Sequence, residues 1–342
     1  MHEPRETAAH VFFVYHPAMT GSDFSSDRFQ PFDGLSCCVT GGAGFIGSHL
    51  VEALVGQGAV VTVLDDLSSG DLERLSPWRA SLRVVEGSIL DDDALNEAFD
   101  GVQLVYHHAA LVSVPESLEF PERYQAVNVD GTRSVLEACL RHGVSRLVYA
   151  GSCSAYGNLP GLPKVETDPV EPTSPYAATK LEGELLVGAY AEPSGFDTAR
   201  LRYFNVFGPR QPHNSPYAAV VPKFVEALSS GGAARIFGDG GQTRDFIDVR
   251  DVVQANLRAG ALIEPHQGCV YNIGSGNRIS ILEILETVAQ ELGMPARMSL
   301  EEPREGEVRD SEACIDLARE RLGFEPVRAL ANSVREIADA AR

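Results

Sequence analysis

Residues 36–67, SCCVTGGAGFIGSHLVEALVGQGAVVTVLDDL, decide the fold of this chain. A short β-branched run, CCVT, precedes the glycine-rich turn GGAGFIG, an apolar helix-length segment at 45–57 and a second β-branched run, VVTVLD. This order predicts a strand, a turn, a helix and a parallel strand, the unit from which doubly wound sheets are built.

The turn places Gly41, Gly44 and Gly47 in a GxxGxxG arrangement between strand and helix. Glycine allows a diphosphate to approach the backbone, and the helix N-terminus attracts the anion. Asp65 ends the second strand 18 residues after Gly47 (65 − 47), where a carboxylate can bind both hydroxyls of a ribose. The pattern predicts an NAD site. A 2′-phosphate would be repelled by Asp65, and neither Asp66 nor Leu67 is an arginine that could bind one.

Short β-branched runs and amphipathic segments continue to alternate up to TARLRYFN, which predicts right-handed crossovers and a parallel sheet covered on both faces. The expected fold is α/β, a doubly wound Rossmann sheet with a smaller C-terminal mixed α/β domain that binds substrate. The expected boundaries are an N-terminal extension at 1–34, a Rossmann domain at 35–205 to which 236–273 returns, and a substrate domain at 206–235 and 274–342.

Composition narrows the class of protein. The formal charge is −20, with 48 acids against 28 bases, which disfavours binding to nucleic acid or anionic lipid. No apolar run approaches the roughly 20 residues of a membrane span. The six cysteines lack metal-ligand spacing, so we expect small core residues in a reducing cytoplasm and no metal site.

Residues 1–34 have no secretory pattern and are interpreted as a poorly ordered extension. Their aromatic residues leave open a second interpretation, in which the segment packs on a neighbouring surface or subunit.

A second group of candidate functional residues lies in the stretches GSCSAYG and SPYAATK. Tyr176 and Lys180 are four residues apart at the start of a predicted helix and therefore share one face. An ammonium there is expected to lower the phenol pKa from about 10, so that a phenolate can act as a base. Ser152, at the carboxyl end of a predicted strand, can hydrogen-bond the same substrate hydroxyl.

With these residues in place, the chain resembles an extended short-chain dehydrogenase/reductase of the nucleotide-sugar epimerase group from about residue 36 to about residue 325. The matching motifs, in order, are GGAGFIGSHL, HHAALVSVPES, NVDGT, GSCSAYG, SPYAATK, RYFNVFGPRQ, GDGGQTRDF, VYNIGSG and REGEVRDS. The resemblance implies Ser152, Tyr176 and Lys180 as the catalytic residues.

The resemblance also implies the other contacts. One departure from the group is Ser88, where an aspartate usually contacts adenine. The cofactor contacts expected are Gly41, Gly44, Phe45, Ile46, Gly47, Asp65, Asp66, Ser88, Ile89, Ala109, Ala110, Leu111, Asn128, Ala150, Tyr176, Lys180, Tyr203 and Phe204. The substrate contacts expected are Ser113, Ser152, Ser154, Tyr176, Asn205, Ala219, Val220, Phe224, Arg244, Arg304 and Ser311.

Within the group, dehydratases resemble one another in an Asp-Glu pair after the catalytic serine or threonine, and decarboxylases in a nearby glutamate. Cys153 and Ser154 occupy that stretch here, so the resemblance implies 4-epimerisation of a UDP-sugar through a 4-keto intermediate, with tightly bound NAD regenerated in each turnover. Arg244 and Arg304 match diphosphate-binding arginines, and Ala219, Val220 and Phe224 match a uracil pocket.

The sugar is indicated by Ser311. Members restricted to glucose and galactose resemble one another in a tyrosine at that position, whereas serine leaves room for a 2-acetamido group. UDP-N-acetylglucosamine and UDP-N-acetylgalactosamine are therefore the expected pair. UDP-glucose and UDP-glucuronate stay open, as does a non-catalytic sensor of NAD or nucleotide-sugar. A homodimer through helices at about 122–142 and 175–192 is implied by the resemblance.

Overall fold

The computed structural model describes residues 27–212, 220–303 and 308–340, without the side chains of residues 192–194 and 340. The predicted contacts Ala219 and Arg304 therefore lie outside the described residues, as does most of the extension.

The strands of the described residues are β1 (Ser36–Thr40), β2 (Val60–Asp65), β3 (Leu82–Glu86), β4 (Leu104–His107), β5 (Arg146–Ser152), β6 (Asp197–Tyr203), β7 (Asn205–Phe207), β8 (Ala234–Phe237), β9 (Thr243–Arg244), β10 (Phe246–Asp248), β11 (Val270–Ile273), β12 (Ile279–Ser280) and β13 (Met298–Glu301). The helices are α1 (Phe45–Gly56), α2 (Asp92–Phe99), α3 (Val114–Glu119), α4 (Pro121–Gln125), α5 (Gly131–His142), α6 (Pro175–Ser194), α7 (Val220–Ser229), α8 (Val249–Ala261), α9 (Ile281–Leu292), α10 (Asp316–Leu322) and α11 (Leu330–Ala340).

The main sheet has seven strands in the order β11-β6-β5-β4-β1-β2-β3, and every neighbouring pair is parallel. The strand order reverses between β1 and β4, and ligands of such sheets bind in the crevice outside the carboxyl ends of the strands at this point. Apolar side chains of α1 and α8 cover one face, and those of α2, α5 and α6 cover the other. The doubly wound α/β fold predicted from the sequence is confirmed.

A smaller lobe packs around its own core. Helices α7, α9 and α11 bury Phe224, Leu285 and Val334 together with β8, which pairs with β13 in parallel. Helix α8 and strand β11, from within residues 236–273, belong instead to the main sheet and its covering layer. The two parts are thus interleaved along the chain.

Helix α5 is preceded by a single π turn at Ala126–Asp130, so the continuous helix predicted at 122–142 is interrupted. Such turns insert one extra residue and redirect a side chain, and they are frequent at functional sites. Asn128, a predicted site residue, lies in this turn.

The interpretation of residues 1–34 as a poorly ordered extension is wrong for residues 29–34. Phe29 and Phe32 are 8% and 2% exposed and belong to the core of the main domain. Phe29 forms a bridge with Leu262, directly after α8. The alternative, in which the aromatic residues pack on a neighbouring surface, describes this stretch. Burial of the two apolar rings stabilises it by more than the conformational entropy lost when the chain end is ordered.

No helix among the described residues is long and apolar enough to cross a membrane. The same part of the chain contains no group of three His, Cys, Asp or Glu side chains arranged to hold a metal ion. All six cysteines are free thiols, and Cys37, Cys38 and Cys139 are buried as small core residues.

Candidate active site

The glycine turn lies at the switch point, between the ends of β1 and β4. Gly41 has a φ of +68°, and a Cβ there would lie 2.8 Å from the backbone nitrogen of Ala109. A Cβ on Gly47 would lie 2.1 Å from the carbonyl oxygen of Gly41. Gly44 is the N-cap of α1 and offers no side-chain cap, so the first turn of this 12-residue helix presents its N–H groups to a ligand.

Asp65 closes the turn from the neighbouring strand. Its carboxylate accepts hydrogen bonds from the backbone nitrogens of Ala43 and Leu67, at 2.8 and 2.9 Å. Burial raises the pKa of Asp65, and these two hydrogen bonds oppose the rise. Each carboxylate oxygen keeps acceptor capacity for a ribose hydroxyl. The carboxylate is therefore fixed in position before any cofactor binds.

Arg74 is a neighbour of this turn that the sequence did not reveal. It comes from the 3₁₀ segment Leu72–Ser81, and its guanidinium donates to the carbonyl oxygen of Ala43 at 2.9 Å. Its charge interacts with that of Asp65. No motif marks Arg74, because its position depends on how the 66–71 loop folds back.

A buried chain of polar side chains connects the turn to the tyrosine helix. The hydroxyl of Thr132 donates to the carbonyl oxygen of Asn128 at 2.7 Å, so it accepts from Nε2 of His107 at 3.0 Å. The Nδ1 atom of His107 then accepts from the hydroxyl of Thr40 at 2.8 Å. This assignment requires a neutral imidazole, and burial lowers the pKa of His107 to about 3.

Asn128 continues the chain to α6. Its side-chain oxygen accepts from the backbone nitrogen of Leu111 at 2.8 Å, and its amide group donates to the hydroxyl of Thr179 at 3.1 Å. Thr179 in turn donates to the carbonyl oxygen of Tyr176. Asn128 thus fixes the segment after β4 against the helix that carries Tyr176 and Lys180.

Local sequence fixes the start of α6. Ser174 is the N-cap, and its hydroxyl accepts from the backbone nitrogen of Ala177 at 3.2 Å, while Pro175 occupies the first helical position. Tyr176 and Lys180 therefore lie in the first two turns and face the end of β5, where Ser152 caps a 3₁₀ turn. The hydroxyls of Ser152 and Ser154 lie 2.8 Å apart.

The electrostatics of this trio differ from the sequence expectation. Burial raises the pKa of Tyr176 to about 12, although a hydrogen bond with Ser152 acts to lower it. The ammonium of Lys180 lies 4.5 Å from the centre of the Tyr149 ring, and burial lowers the pKa of Lys180 to about 7. The expected lowering of the phenol pKa is therefore wrong for the protein alone, because desolvation of the buried phenol is the largest effect on this pKa and raises it.

Three predicted substrate residues converge from distant parts of the chain. The amide of Asn205, at the start of β7, donates to the hydroxyl of Ser311 at 3.3 Å and to the carbonyl oxygen of Asp245 at 3.0 Å. The backbone nitrogen of Ser311 donates to the carbonyl oxygen of Thr243, directly before Arg244. The charges of Arg244 and Asp245 both act on Cys153, next to Ser152. This cluster therefore borders the catalytic strand.

An open pocket of about 700 Å³ lies beside Arg244. It is lined by Phe237, Gly238, Asp239 and Gln242 on one side and by residues 300–303, 308 and 309 on the other. Sequence reasoning did not single out Phe237 or Gln242, which contribute an aromatic ring and an amide. The sequence signal that could have identified them is their position: Gln242 lies within the GDGGQTRDF stretch, and Phe237 directly precedes it.

Other predicted contacts are placed differently by the structure. Phe224 is 1% exposed and belongs to the core of the smaller lobe, whereas Val220 is partly exposed beside it. The hydroxyl of Tyr203 donates to Asn256 of α8, so its side chain points into the domain rather than toward the crevice. The hydroxyl of Ser113 accepts from the backbone nitrogen of Glu116 and caps α3.

The remaining predicted cofactor contacts follow the carboxyl ends of strands. Ser88 and Ile89 follow β3, and the Ser88 hydroxyl accepts from the backbone nitrogen of Leu90. Ala109 donates its backbone N–H to Thr40. Ala150 lies within β5, and Phe204 follows β6 and is 3% exposed.

A model of the NAD dependent epimerase/dehydratase family matches residues 37–274. The chain belongs to this family. A UDP-glucose 4-epimerase of Mycolicibacterium smegmatis is 40% identical over 301 residues, which are 86% of this chain and 95% of that protein.

Two solved structures extend the comparison. The UDP-N-acetylglucosamine 4-epimerase of Methanobrevibacter ruminantium, in complex with UDP-N-acetylmuramic acid, is 36% identical with a TM-score of 0.86 and covers 90% of this chain and 98% of its own. The UDP-glucose 4-epimerase of Thermotoga maritima, with UDP-glucose, is 35% identical with a TM-score of 0.84 and covers 90% and 99%. The activity is 4-epimerisation of a UDP-sugar with NAD, and the protein is an isomerase.

The residues present fit the cofactor. Side chains at Gly41 and Gly47 would collide with backbone atoms of Ala109 and of the turn itself, the first turn of α1 is uncapped by any side chain, and Asp65 is fixed in position. When bound, NAD⁺ supplies a hydride acceptor and a positive nicotinamide ring.

Proposed function

We propose that this epimerase interconverts UDP-N-acetylglucosamine and UDP-N-acetylgalactosamine. The observation that carries the proposal is Ser311, a small residue whose hydroxyl is fixed by Asn205 at 3.3 Å at the border of the catalytic strand. A serine leaves the volume of a larger side chain free for a 2-acetamido group, and its hydroxyl offers that group a hydrogen-bond partner.

We assign proton transfer to Tyr176. Its phenolate takes the proton of the sugar 4-hydroxyl, Ser152 hydrogen-bonds the same oxygen, and Tyr176 returns the proton after the 4-keto sugar has turned over. Burial raises the pKa of Tyr176 to about 12 in the protein alone. The positive charge that would lower this pKa would come from Lys180 and from bound NAD⁺. Lys180 would also hold a ribose of the cofactor. NAD stays bound between turnovers in this scheme.

Affinity for the substrate comes from its nucleotide half, because the sugar has to rotate. Arg244 donates from one guanidinium nitrogen to the carbonyl oxygens of Thr243 and Arg309, at 2.9 and 2.7 Å, which orients its fork for a diphosphate. The adjoining pocket offers the ring of Phe237 for the base. Arg304, Ala219 and Val220 complete the proposed contacts.

UDP-glucose is the second candidate substrate, and the identity to the Mycolicibacterium enzyme favours it. A serine at position 311 admits the smaller sugar without requiring the acetamido group. The two candidates differ in one quantity, the ratio of kcat/KM for the two UDP-sugars.

The test is to incubate the purified protein, without added NAD, with UDP-N-acetylglucosamine or UDP-glucose and to separate the products. We expect UDP-N-acetylgalactosamine to form at least as efficiently as UDP-galactose. Formation of UDP-galactose alone would overturn the assignment of the sugar. If neither sugar gives a product, UDP-glucuronate is tested next, and no product from any of the three would argue for the non-catalytic sensor.

We also propose that the protein is a homodimer joined through α4, α5 and α6. Leu185 on α6 is 56% exposed, and Leu118 and Phe120, before α4, are 64% and 53% exposed, which is costly for large apolar side chains in water. Light scattering should give twice the monomer mass for the native protein and the monomer mass for Leu185→Arg. A native monomer would contradict the proposal.

A further inference from the structure

The carboxylate of Asp245 accepts four hydrogen bonds from two other segments of the chain. Its side chain is inaccessible to solvent. The first oxygen, Oδ1, accepts from the backbone nitrogen and the hydroxyl of Ser275, both at 2.7 Å. The second oxygen, Oδ2, accepts from the backbone nitrogens of Gly276 at 3.1 Å and Ala313 at 3.0 Å. Every donor is neutral and each oxygen has two partners, so the charge is held without an ion pair.

The main chain of Asp245 joins a third segment to the same point. Its carbonyl oxygen accepts from both the backbone nitrogen and the side-chain amide of Asn205, each at 3.0 Å. One residue thus connects β7, the loop after β11 and the stretch after Ser311. Gly274 makes room for it, because a Cβ there would lie 2.8 Å from Oδ2.

Two of these segments, together with the segment of Asp245 itself, carry the residues to which the sugar and the diphosphate are assigned. Arg244 precedes Asp245, Ser311 is two residues before Ala313, and Asn205 bonds both Asp245 and Ser311. The carboxylate itself is buried and faces backbone N–H groups rather than the crevice.

We propose that Asp245 is a positioning residue for the UDP-sugar. It sets the relative positions of Asn205, Arg244 and Ser311 through its hydrogen bonds and does not contact the reacting atoms. This inference rests on the proposed placement of the sugar and diphosphate at those residues. The glycine turn and Asp65 of the cofactor half lie on other segments, between β1 and α1 and at the end of β2.

The test compares Asp245→Asn with Asp251→Asn. Asp251 is an equally suitable buried carboxylate, 3% exposed, but it accepts from the backbone nitrogens of Val327 and Arg328 at 3.2 and 3.1 Å, and neither belongs to the site. In each variant the new NH₂ group cannot accept the hydrogen bonds that one carboxylate oxygen accepted. Both variants are therefore expected to lose stability. They differ in that the hydrogen bonds lost in Asp245→Asn position residues of the substrate site, whereas those lost in Asp251→Asn do not.

KM and kcat are measured with the UDP-sugar that the native enzyme converts, either UDP-N-acetylglucosamine or UDP-glucose, and bound NAD is measured alongside. If the proposed sugar is wrong, the native enzyme shows this directly, and the comparison of the two variants is unaffected. For Asp245→Asn we expect KM to rise about tenfold, as for the loss of hydrogen bonds to a charged group, with kcat reduced less than about threefold and bound NAD unchanged. For Asp251→Asn, KM should stay within about twofold, since its hydrogen bonds lie outside the site.

Equal KM values in the two variants, or loss of NAD from Asp245→Asn, would overturn the proposal. If Asp245→Asn does not fold, Ser275→Ala removes one donor alone and should raise KM about threefold. An unchanged KM for Ser275→Ala in that case would count equally against it.

Discussion

The cofactor half and the sugar half of the site are assembled over very different lengths of chain. In the cofactor half, Asp65 reaches the turn at Ala43 across 22 residues, and Gly41, Gly44 and Gly47 lie within one turn and helix start. In the sugar half, Asn205 reaches Ser311 across 106 residues. The first is fixed by neighbours in sequence, and the second by hydrogen bonds between loops.

This difference suggests how each half responds to change. The cofactor half depends on the close approach of backbone atoms, so an added methyl group is damaging there. The sugar half depends on the relative positions of loops, so substitutions should alter selectivity and KM while the cofactor remains bound.

The largest effect is expected where the halves meet. Tyr176→Phe removes the proton-transfer hydroxyl and should reduce turnover about a thousandfold while bound NAD and UDP-sugar affinity stay within about twofold. Turnover is measured by product separation, NAD by absorbance and affinity by calorimetry. Tyr190→Phe on the same helix is the control and should retain full turnover. A comparable loss in both variants would place the defect in folding and not in proton transfer.

In the sugar half, Ser311→Tyr should lower kcat/KM for UDP-N-acetylglucosamine roughly fiftyfold, because the ring occupies the space assigned to the acetamido group, and should change that for UDP-glucose by less than about threefold. Steady-state kinetics with both sugars measures the ratio. Ser311→Ala keeps the space and should leave the ratio within about threefold. An equal loss for both sugars in Ser311→Tyr would refute the pocket assignment.

In the cofactor half, Gly47→Ala places a Cβ 2.1 Å from the carbonyl oxygen of Gly41. We expect about 2 kcal/mol lower stability to unfolding, together with loss of most bound NAD. Chemical denaturation and the absorbance of released cofactor measure the two quantities. Gly56→Ala, later in the same helix, meets nothing within 4 Å and serves as the matched control. Full retention of NAD in Gly47→Ala would contradict the claim that cofactor binding depends on the close approach of backbone atoms at this turn.

The smallest effect comes from buried histidines of the main domain. Burial lowers the pKa of both His49 and His107 to about 3, so they are neutral when folded but protonate near pH 6.5 when unfolded. The unfolded chain then binds more protons, and stability is lost as pH falls from about 6.5 toward 3.

Between pH ~7.5 and ~5.5 the expected loss is roughly 1 kcal/mol for each of these two histidines. Urea denaturation at the two pH values measures it. His107→Gln should reduce this loss by roughly 1 kcal/mol and leave the part due to His49. An unchanged dependence in His107→Gln would show that His107 does not contribute.

Much of the cofactor half could be predicted from the sequence because its determinants are local. The glycine spacing, the acid at the end of β2 and the four-residue spacing of Tyr176 and Lys180 each follow from one helix or turn. The raised pKa of Tyr176 could not be predicted, because the desolvation that causes it depends on how the folded chain buries the phenol.

The sugar half was predictable only as a set of residues matched by resemblance. Their arrangement depends on Asp245, whose bonds reach residues 30 and 68 positions away. The position of the Phe237 ring and the burial of Phe224 likewise depend on the packing of β8 against α7 and α9 and on its pairing with β13, which no local pattern encodes. Arg74 was missed for the same reason.

The most direct test of the account is to follow deuterium from the 4-carbon of UDP-N-acetylglucosamine with purified enzyme and no added NAD. The hydride leaves the sugar and returns to the same carbon on the opposite face, so the UDP-N-acetylgalactosamine formed should retain the deuterium at carbon 4. Exchange of that deuterium with solvent, or a requirement for added NAD in every turnover, would contradict it.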